Sequence, residues 1–391
     1  MTTATDLRNS LVDILRSQGW VNDPRVEKAM REVQRDLFLP DEDLETAYAD
    51  RNIAIKSGPA GECLSSASTP SIVGMMLEQL ETEPGQNVLE IGAGTGYNAS
   101  LLTHLVGPTG SVTSIDIDAD AIAHARAALE RAGVDGVRLV HGDGEEGVPQ
   151  RAPYDRIVIT AGSWDIPGTW WDQLVDGGLL IIPLRFRGTT RSIAFRRHGD
   201  RMISETARLC GFIPMRNDDG EHDLDLGGGV MVRYDEDQGI RSDDLAGVLD
   251  TSPTATWSGV TVGVEPIHGL GGRLVVAERG TSRIAAQPEA VKSGRARPVI
   301  PSMTPAVIEG SSLAYLTHRR EEGARESELG AIGHGPAAQE LCARIVDHVR
   351  AWDKDREDRL AFTAARDKSL LDGTSRRFIT KRTTHLLVTR P

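Results

Sequence analysis

The feature of this chain that most constrains its fold is a short apolar run followed at once by closely spaced glycines. The run over residues 88–91 indicates a buried strand that ends at Gly92, and a helical pattern begins near Asn98. Glycines at alternate positions let the backbone turn tightly at the strand's carboxyl end and leave no Cβ in a ligand's way. The following helix points its amide donors and positive dipole end into the same gap. The sequence therefore predicts a turn that holds a nucleotide-like molecule.

The spacing of the glycines distinguishes between cofactors. A dinucleotide fingerprint needs G-x-G-x-x-G, whereas this chain has Glu90-x-Gly92-x-Gly94-x-Gly96, which is too short. The shorter pattern is typical of turns that bind S-adenosylmethionine, which has no pyrophosphate. Asp116 follows the next predicted strand, where a carboxylate can accept hydrogen bonds from both hydroxyls of a ribose. Capping of the helix predicted from residue 119 is the alternative role for Asp116, and the two roles are compatible.

Between residue 88 and about residue 184 the pattern alternates between strand and helix. This rhythm predicts a doubly wound α/β sheet, with further strands at 137–140, 154–159 and 177–183. Ligands of such sheets lie beyond the carboxyl ends of the strands, and Asp143 and Thr160 follow two of these strands. Asp143 is either an acceptor for an adenine amino group or a turn aspartate.

The segments that flank this sheet are less regular. Residues 5–37 have the pattern of two helices, and residues 41–70 are predicted to be irregular, as an active-site loop or a flexible connector. Residues 217–250 are acidic and glycine-rich, which favours a solvated linker or surface loop over a metal site. Beyond them lie strand-like pieces and an amphipathic helix over residues 337–352. The strand-like pieces are residues 260–264, 273–277, 312–317 and 386–389.

Length and composition set the limits of this interpretation. The 391 residues, of which 39% are hydrophobic, are enough for two domains, predicted here as residues 1–215 and 216–391. A net charge of −13 argues against a nucleic-acid partner. The three scattered cysteines have no metal spacing, and no apolar run is long enough to span a membrane. We therefore expect a cytoplasmic protein with no metal and no nucleic-acid or membrane partner.

A series of short motifs extends beyond the glycine turn and covers about half of the chain. They are Arg35 with Phe38-x-Pro40, Ser68-x-Pro70-x-Ile72-Val73, residues 88–97, Gly142-Asp143-Gly144, Tyr154-Asp155-Arg156-Ile157 and Asp172-Gln173-Leu174-x-x-Gly177-Gly178. Together they resemble the protein-L-isoaspartate O-methyltransferase family. The resemblance implies a Rossmann-like class I S-adenosylmethionine-dependent methyltransferase fold, followed here by a smaller C-terminal α+β domain. It also implies methyl transfer to an aspartate or isoaspartate carboxylate of a peptide or protein, with S-adenosyl-L-homocysteine as the product.

The same resemblance implies roles for individual residues. Ser68 would lie at the methyl-transfer site, the segment 90–96 at the methionine portion of the cofactor, Asp116 at the ribose, and Asp143 with Gly144 at the adenine. The expected cofactor-binding set is Glu90, Gly92, Ala93, Gly94, Gly96, Asp116, Ile117, Asp143, Gly144 and Thr160, and the expected substrate set is Ser65, Ser66, Thr69 and Trp164.

The chemistry of such a reaction makes few demands on the protein. A carboxylate has a reference pKa of about 4, so it is ionised at neutral pH and needs no general base. Positioning is then the main contribution, with effective molarities that reach about 10⁵ M or more. The Ser68 hydroxyl and the backbone amides of residues 65–69 would orient the attacking oxygen.

Departures from the family pattern fall on the substrate side. Residues 61–67 replace a Gly-Gln-Thr-Ile tract, Ser71 replaces a residue that is often aromatic, and Trp164 replaces a smaller one. The C-terminal extension resembles versions that accompany ribosomally made, modified peptides, and this implies methylation of a macrocyclic lanthipeptide or graspetide, leading to succinimide and isoaspartate. The alternatives are repair of isoaspartyl residues in damaged proteins and an inert scaffold that presents a peptide to another enzyme.

Overall fold

A computed structural model describes residues 2–59, 61–216, 220–372 and 378–390 of the chain. Contacts divide the chain into two compact units. The first comprises Met1–Leu184 and Thr190–Asn217, and the second comprises Arg185–Thr189 and Asp218–Pro391. The chain therefore contributes a short segment to the second unit before it completes the first.

The first unit begins with helices whose starts are capped by side chains. Helix α1 (Ala4–Ser17) starts in a capping box between Thr3 and Asp6, and helix α2 (Pro24–Glu32) starts after Asp23 with proline in its first turn. These two helices confirm the pattern predicted over residues 5–37. They are followed by a 3₁₀ turn (Arg35–Phe38) and helix α3 (Leu44–Ala47).

A two-stranded hairpin follows, where the sequence predicted irregular structure. Strands β1 (Ile53–Ser57) and β2 (Cys63–Ala67) pair antiparallel and lead into helix α4 (Pro70–Leu80). The prediction was wrong for these residues because short strands rich in serine, lysine and small side chains give no clear alternation. The register between the strands is also irregular on both sides of Lys56.

The sheet of the first unit is the doubly wound sheet that the sequence predicted. Its strands are β3 (Asn87–Ile91), β4 (Ser111–Asp116), β5 (Val137–His141), β6 (Tyr154–Ile159), β7 (Leu174–Phe186), β8 (Thr189–His198) and β9 (Arg201–Leu209), and its helices are α5 (Tyr97–Val106), α6 (Ala119–Arg131) and α7 (Gly168–Gln173). The strands lie in the order β9-β8-β7-β6-β3-β4-β5, and β3 to β7 run parallel. Because β3 pairs with both β4 and β6, the strand order reverses beside it, which is where ligands of such sheets bind.

The second unit is an α+β domain built on antiparallel strands. Its strands are β10 (Glu221–Asp225), β11 (Val230–Asp235), β12 (Thr254–Val262), β13 (Thr281–Ala286), β14 (Thr304–Glu309), β15 (Ser312–Arg319), β16 (Ser327–His334), β17 (Ala361–Ala365), β18 (Phe378–Thr380) and β19 (His385–Thr389), and its helices are α8 (His268–Ala277), α9 (Pro288–Lys292) and α10 (Ala338–Asp353). Seven of these strands form a sheet in the order β10-β11-β13-β14-β15-β16-β12, and β18, β19 and β17 pair in that order.

Two expectations for the second unit were wrong. Residues 273–277 belong to helix α8, in which Leu270 and Leu274 are one turn apart and both fully buried, and not to a strand. The acidic stretch 217–250 is not a solvated linker where it is described, because β10, β11 and three 3₁₀ turns lie within it. Both strands carry paired acids, since Asp223 pairs with Arg233 of the neighbouring strand and Asp235 pairs with Arg187 outside this sheet. Residues 217–219 lie outside the described residues.

Helix α10 confirms the amphipathic pattern of the C-terminal half. Leu341, Ile345, Val349 and Trp352 share a buried face. This face packs with β15 and β16 into the largest hydrophobic core of the second unit. The core explains why the domain has regular structure despite its acidic composition.

Candidate active site

A cavity of about 670 Å³ lies at the carboxyl ends of β3, β4 and β6 in the first unit. Its size is that of a pocket for a small organic ligand. Most of the predicted site residues line it, namely Ser65, Ser66, Ser68, Thr69, Glu90, Gly92, Ala93, Gly94, Asp116, Ile117, Asp143, Gly144 and Thr160. Gly96 and Trp164 are not among its lining residues. The fold therefore brings together residues that are up to 95 positions apart in the sequence.

The glycine turn has a shape that side chains would obstruct. Gly92 has φ +104°, and a Cβ there would lie 2.3 Å from Thr160 Oγ1. The Thr160 hydroxyl donates to the Gly92 carbonyl at 2.8 Å, so the two strand ends are joined at this point. A Cβ on Gly94 would meet nothing within 4 Å, and the space beside it is open to a ligand. Gly96 instead lies against α6, where a Cβ would be 3.2 Å from that of Ala125.

Glu90 is a fully buried carboxyl group at the base of the turn. It accepts hydrogen bonds from Asn98 Nδ2 at 2.8 Å and from the Ser114 hydroxyl. Burial raises the pKa of Glu90 to about 7, and the nearby charge of Asp116 acts in the same direction. Glu90 therefore changes its protonation state near neutral pH, whereas an exposed glutamate is already ionised there.

Asp116 faces the turn from the end of β4. Its Oδ2 accepts from the Gly94 amide at 3.1 Å and its Oδ1 accepts from the Asp118 amide at 2.9 Å. The N-cap of α6 is Asp118, whose side chain accepts from the Asp120 amide, so the helix-cap alternative for Asp116 was wrong. The Asp116 carboxylate borders the cavity and can accept further hydrogen bonds from a diol.

Two cations that the sequence did not predict lie at Asp118. Lys56 Nζ is 2.7 Å from its carboxylate, and Arg216 Nη2 is 3.1 Å away. The hydrogen bond from Lys56 contributes most to lowering the pKa of Asp118 to about 2. Lys56 belongs to the β1–β2 hairpin, so this ion pair joins the hairpin to the start of α6 at the edge of the cavity. No local pattern in the sequence could have indicated the pairing.

The far end of the cavity is formed by a 3₁₀ turn after β5. Asp143 accepts from the Glu145 amide at 2.9 Å and begins that turn, and its side chain is exposed beside the cavity. A Cβ on Gly144 would lie 2.5 Å from Ile91 Cγ2, so only glycine allows this close approach. Ile91 thus occupies the place of a Gly144 side chain, so the turn packs directly against β3.

The predicted acceptor side lies between β2 and α4. Within the described part of the chain, the Ser68 hydroxyl makes no hydrogen bond and is available to a ligand. Arg35 Nη2 donates to the Ser68 carbonyl at 3.0 Å, and Asp50 accepts from the Ser71 amide at 2.8 Å. Trp164 is only 3% exposed and lies in the buried segment after β6, away from the cavity lining.

Residues 211–216 complete one wall of the cavity, which the sequence also did not predict. The Gly162 amide donates to the Ile213 carbonyl at 2.8 Å, and the Met215 amide donates to the Gly162 carbonyl at 2.9 Å. This segment therefore runs beside the end of β6 as a short extra strand. Its apolar side chains, with Phe212 and Met215 among them, line the cavity.

No group of three or more histidine, cysteine, aspartate or glutamate side chains in the described ranges is placed to hold a metal ion. No helix of the described chain is long and apolar enough to cross a membrane.

A doubly wound sheet with a glycine turn, a buried acid and a second acid at its switch point defines a class I S-adenosylmethionine-dependent methyltransferase. The residues fit that cofactor, because the space over Gly94 is open and Asp116 borders it with free acceptor capacity. The model of the protein-L-isoaspartate(D-aspartate) O-methyltransferase family matches residues 6–220. Because this is more than half of the 391 residues, the chain belongs to that family.

Individual relatives agree with the family assignment. The protein-L-isoaspartate O-methyltransferase of Hyperthermus butylicus is 36% identical over 219 residues, which cover 54% of this chain and 88% of that protein. That of Pyrococcus horikoshii is 40% identical over 173 residues, which cover 44% of this chain and 75% of that protein. The fold class, the enzyme class of carboxyl O-methyltransferase and the cofactor S-adenosylmethionine, predicted from the sequence, are thereby confirmed.

A solved structure of a protein-L-isoaspartate O-methyltransferase is similar in fold to most of the chain. The TM-score is 0.50 at 22% identity, and the match covers 91% of this chain and 96% of that chain. At this identity the likeness concerns the fold alone. Since the family model ends at residue 220, a match of this extent must include much of the second unit.

Proposed function

We propose that this chain transfers a methyl group from S-adenosylmethionine to the free carboxylate of isoaspartyl residues in proteins or peptides. The observation that carries the proposal is the shared cavity, in which the Ser68–Thr69 segment borders the same space as Gly94 and Asp116. The family membership and the relatives, which are protein-L-isoaspartate O-methyltransferases, support the same substrate.

The residues of the cavity would bind the cofactor and orient its methyl group. When bound, S-adenosylmethionine supplies an electrophilic methyl group on a sulfonium. Asp116 would accept hydrogen bonds from the ribose, Glu90 would fix the base of the turn through Asn98, and Asp143 and Gly144, which line the cavity, would meet the adenine. These contacts would place the methyl group at a constant position in the cavity.

The acceptor side needs only to orient a carboxylate that is already ionised. The Ser68 hydroxyl is a neutral donor, and it would direct one carboxylate oxygen without withdrawing as much electron density as a direct arginine pair would. Tyr97 lines the cavity, and its ring lies edge-to-face with that of Phe38, with 5.6 Å between the ring centres. Both side chains are buried. They would limit the entry of water and keep the two reacting groups together.

The proposal is tested by methyl incorporation into a synthetic isoaspartyl hexapeptide, with the same peptide carrying ordinary aspartate as the matched control. We expect methylation of the isoaspartyl form only. Ser68→Ala should lower kcat at least about tenfold, and Asp116→Asn should weaken S-adenosyl-L-homocysteine binding about tenfold or more while leaving the fold intact. A wild-type protein that binds S-adenosyl-L-homocysteine and leaves the isoaspartyl peptide unmodified would overturn the proposal.

The narrower interpretation, methylation of a macrocyclic lanthipeptide or graspetide on the way to a succinimide, is less well supported. It depended on the C-terminal extension, and a solved structure of a protein-L-isoaspartate O-methyltransferase is similar in fold over 91% of this chain. A cyclic aspartyl peptide tested in the same assay distinguishes the two. Faster methylation of that peptide than of the linear isoaspartyl peptide would favour the narrower interpretation.

We also propose that the second unit takes part in peptide recognition. It contains a cavity of about 870 Å³ whose rim carries the exposed side chains of Arg241 and Arg279. The same lining contains Asp244, Glu278, Glu309 and Glu340, of which the three glutamates pair with Arg344. Arg241 and Arg279 therefore remain as cations for a peptide with acidic residues beside the isoaspartate. Joint substitution of Arg241→Glu and Arg279→Glu should raise the KM for acidic peptides and leave that for neutral peptides unchanged. An equal KM for both peptides in the variant and the wild type would exclude this role.

A further inference from the structure

Arg35 is a buried cation on the acceptor side of the cavity. Its side chain lines the cavity although the residue is only 1% exposed. Among the described residues no carboxylate forms an ion pair with it. Burial lowers the pKa of this guanidinium, and the charge of Asp50 opposes that shift only in part, without forming an ion pair.

The contacts of Arg35 converge on the Ser68 segment. Its Nε donates to the Ala47 carbonyl and its Nη2 to the Ser68 carbonyl, both at 3.0 Å. The guanidinium carbon also lies 5.0 Å from the centre of the Tyr97 ring, which begins α5 directly after the glycine turn. One guanidinium thus connects the acceptor segment with the helix that follows the cofactor turn.

The Ser68 carbonyl fixes the direction of the next amide. In a planar trans peptide the C=O and N–H bonds point in opposite directions, so the Thr69 N–H points away from Arg35. This amide has no hydrogen-bond partner among the described residues, and Thr69 lines the cavity. A guanidinium bound to the carbonyl polarises the peptide group and makes its N–H a stronger donor.

The other end of the segment is also fixed. Asp50 accepts from the Ser71 amide at 2.8 Å, in the first turn of α4. Residues 68–71 are therefore held at both ends by charged side chains, Arg35 at the Ser68 carbonyl and Asp50 at the Ser71 amide, and the Asp50 carboxylate also attracts the Arg35 guanidinium. The Ser68 hydroxyl and the Thr69 amide between them have no partner within the described part of the chain.

We propose that Arg35 is a positioning residue for the methyl acceptor. Through the Ser68–Thr69 peptide group it orients the Thr69 amide and the Ser68 hydroxyl as two donors for the substrate carboxylate, and its positive charge attracts that carboxylate to this wall. The inference rests on the proposed function, since it assigns the acceptor side of the same site. The substrate carboxylate would add to the negative charge that Asp50 supplies to this buried cation.

The chain offers a matched control in Arg156. This arginine is 9% exposed and donates to the Leu80 carbonyl at 2.7 Å and to the Glu81 carbonyl at 3.1 Å. It is not among the lining residues of the cavity. Arg35→Met and Arg156→Met each remove a buried guanidinium from backbone carbonyls, but only the first lies beside the acceptor.

The test compares steady-state kinetics of the two variants and of Arg35→Lys on the isoaspartyl hexapeptide. We expect Arg35→Met to raise the KM for the peptide at least about tenfold, with a smaller change in kcat. Arg35→Lys keeps the charge but loses the planar fork that reaches two carbonyls, so its KM should lie between those of Arg35→Met and the wild type. Arg156→Met should keep the wild-type KM, and S-adenosyl-L-homocysteine affinity should stay within about twofold in all three.

A binding measurement supplies a readout that a merely structural role would not change. Calorimetry gives the ratio of affinities for the isoaspartyl peptide and for the same peptide with a carboxamide in place of the carboxylate. We expect the wild type and Arg156→Met to prefer the carboxylate, and Arg35→Met to lose most of that preference. If Arg35→Met does not fold, a KM above the wild-type value in Arg35→Lys supports the proposal.

Three results would overturn the proposal. The first is that the folded Arg35 variants keep the wild-type KM and the wild-type preference for the carboxylate peptide. The second is that Arg156→Met raises the KM and lowers the carboxylate preference as much as Arg35→Met does. The third is a wild-type protein that neither binds nor methylates the isoaspartyl peptide, which refutes the proposed function and this inference together. The first two results leave the proposed function intact, so the two failures are distinguishable.

Discussion

At the scale of single residues, Glu90 shows how a fold changes the chemistry of a side chain. Its carboxyl group is fully buried, and burial raises its pKa from the ordinary 4.5 to about 7. The hydrogen bonds from Asn98 and Ser114 oppose this rise by stabilising the charged form, but they are weaker than the loss of solvation. The charge at the base of the glycine turn therefore depends on pH near neutrality.

A pH dependence of stability follows. The unfolded chain ionises Glu90 near pH 4.5 and the folded chain near pH 7, so the folded state holds the proton more tightly between these values. The contribution of Glu90 to the free energy of unfolding should fall by about 3 kcal/mol as the pH rises through this window. Glu90→Gln cannot titrate and should lack this part of the slope in urea unfolding of the ligand-free protein. Exposed Glu130→Gln on α6 is the control, and an equal slope in Glu90→Gln and wild type would contradict the prediction.

At the scale of elements, the β1–β2 hairpin is joined to the cofactor side of the sheet by side chains. Lys56 contacts Asp118 at 2.7 Å and Asp120 at 2.8 Å, both at the start of α6. Asp118 is also the N-cap residue of α6, and it follows the proposed ribose ligand Asp116 by two residues. The hairpin is thus held beside the cavity by this ion pair in addition to Ile53 and Ala67, which are buried in the hydrophobic core.

Removal of this pair should weaken cofactor binding. Lys56→Met is expected to raise the Kd for S-adenosyl-L-homocysteine several-fold at low salt, because the hairpin loses its attachment to α6. Lys56 is partly exposed, so the difference from wild type should shrink as added salt screens the pair. Calorimetry at two salt concentrations measures both effects. Lys28→Met removes a surface pair with Glu32, 3.9 Å apart on α2, and should change neither value.

At the scale of the whole molecule, the chain order and the compact units do not coincide. The segment Arg185–Thr189 follows β7 residues of the first unit but belongs to the second. Arg187 has φ +50°, and its amide donates to both oxygens of Asp235 at 3.1 Å. Lys381 Nζ lies 3.4 Å from the same carboxylate, and both residues of this pair are fully buried. Asp235 therefore neutralises cations from two distant parts of the sequence.

Loss of that carboxylate should destabilise the protein strongly. Asp235→Ala removes a negative charge from beside the buried cations Arg187 and Lys381. This change is expected to lower the free energy of unfolding by about 3–5 kcal/mol. Asp223→Ala is the control, because its pair with Arg233 at 2.7 Å is partly exposed and should contribute about 1 kcal/mol or less. Urea unfolding measures both values. A similar small loss in the two variants would show that the buried cluster does not stabilise the fold.

The sequence by itself determined the parts of this protein that depend on neighbours along the chain. Gly92 and Gly94 need backbone angles that other residues rarely adopt, and alternating apolar runs identify the strands of the doubly wound sheet. These local requirements predicted the fold class and the side of the sheet on which the cavity lies, and the resemblance of the motifs predicted the family. They also placed Asp116 and Asp143 beside it, because acids that follow parallel strands meet at one edge.

Only the tertiary structure decided which distant side chains meet. It brought Arg35 to the Ser68 carbonyl and Lys56 and Arg216 to Asp118, and it placed Trp164 outside the cavity lining. It also revealed β10 and β11 within an acidic stretch whose charges are paired across strands. Such contacts join residues tens to hundreds of positions apart, and they depend on packing rather than on any local preference of the backbone. The spacing of a sequence motif contains no information about them.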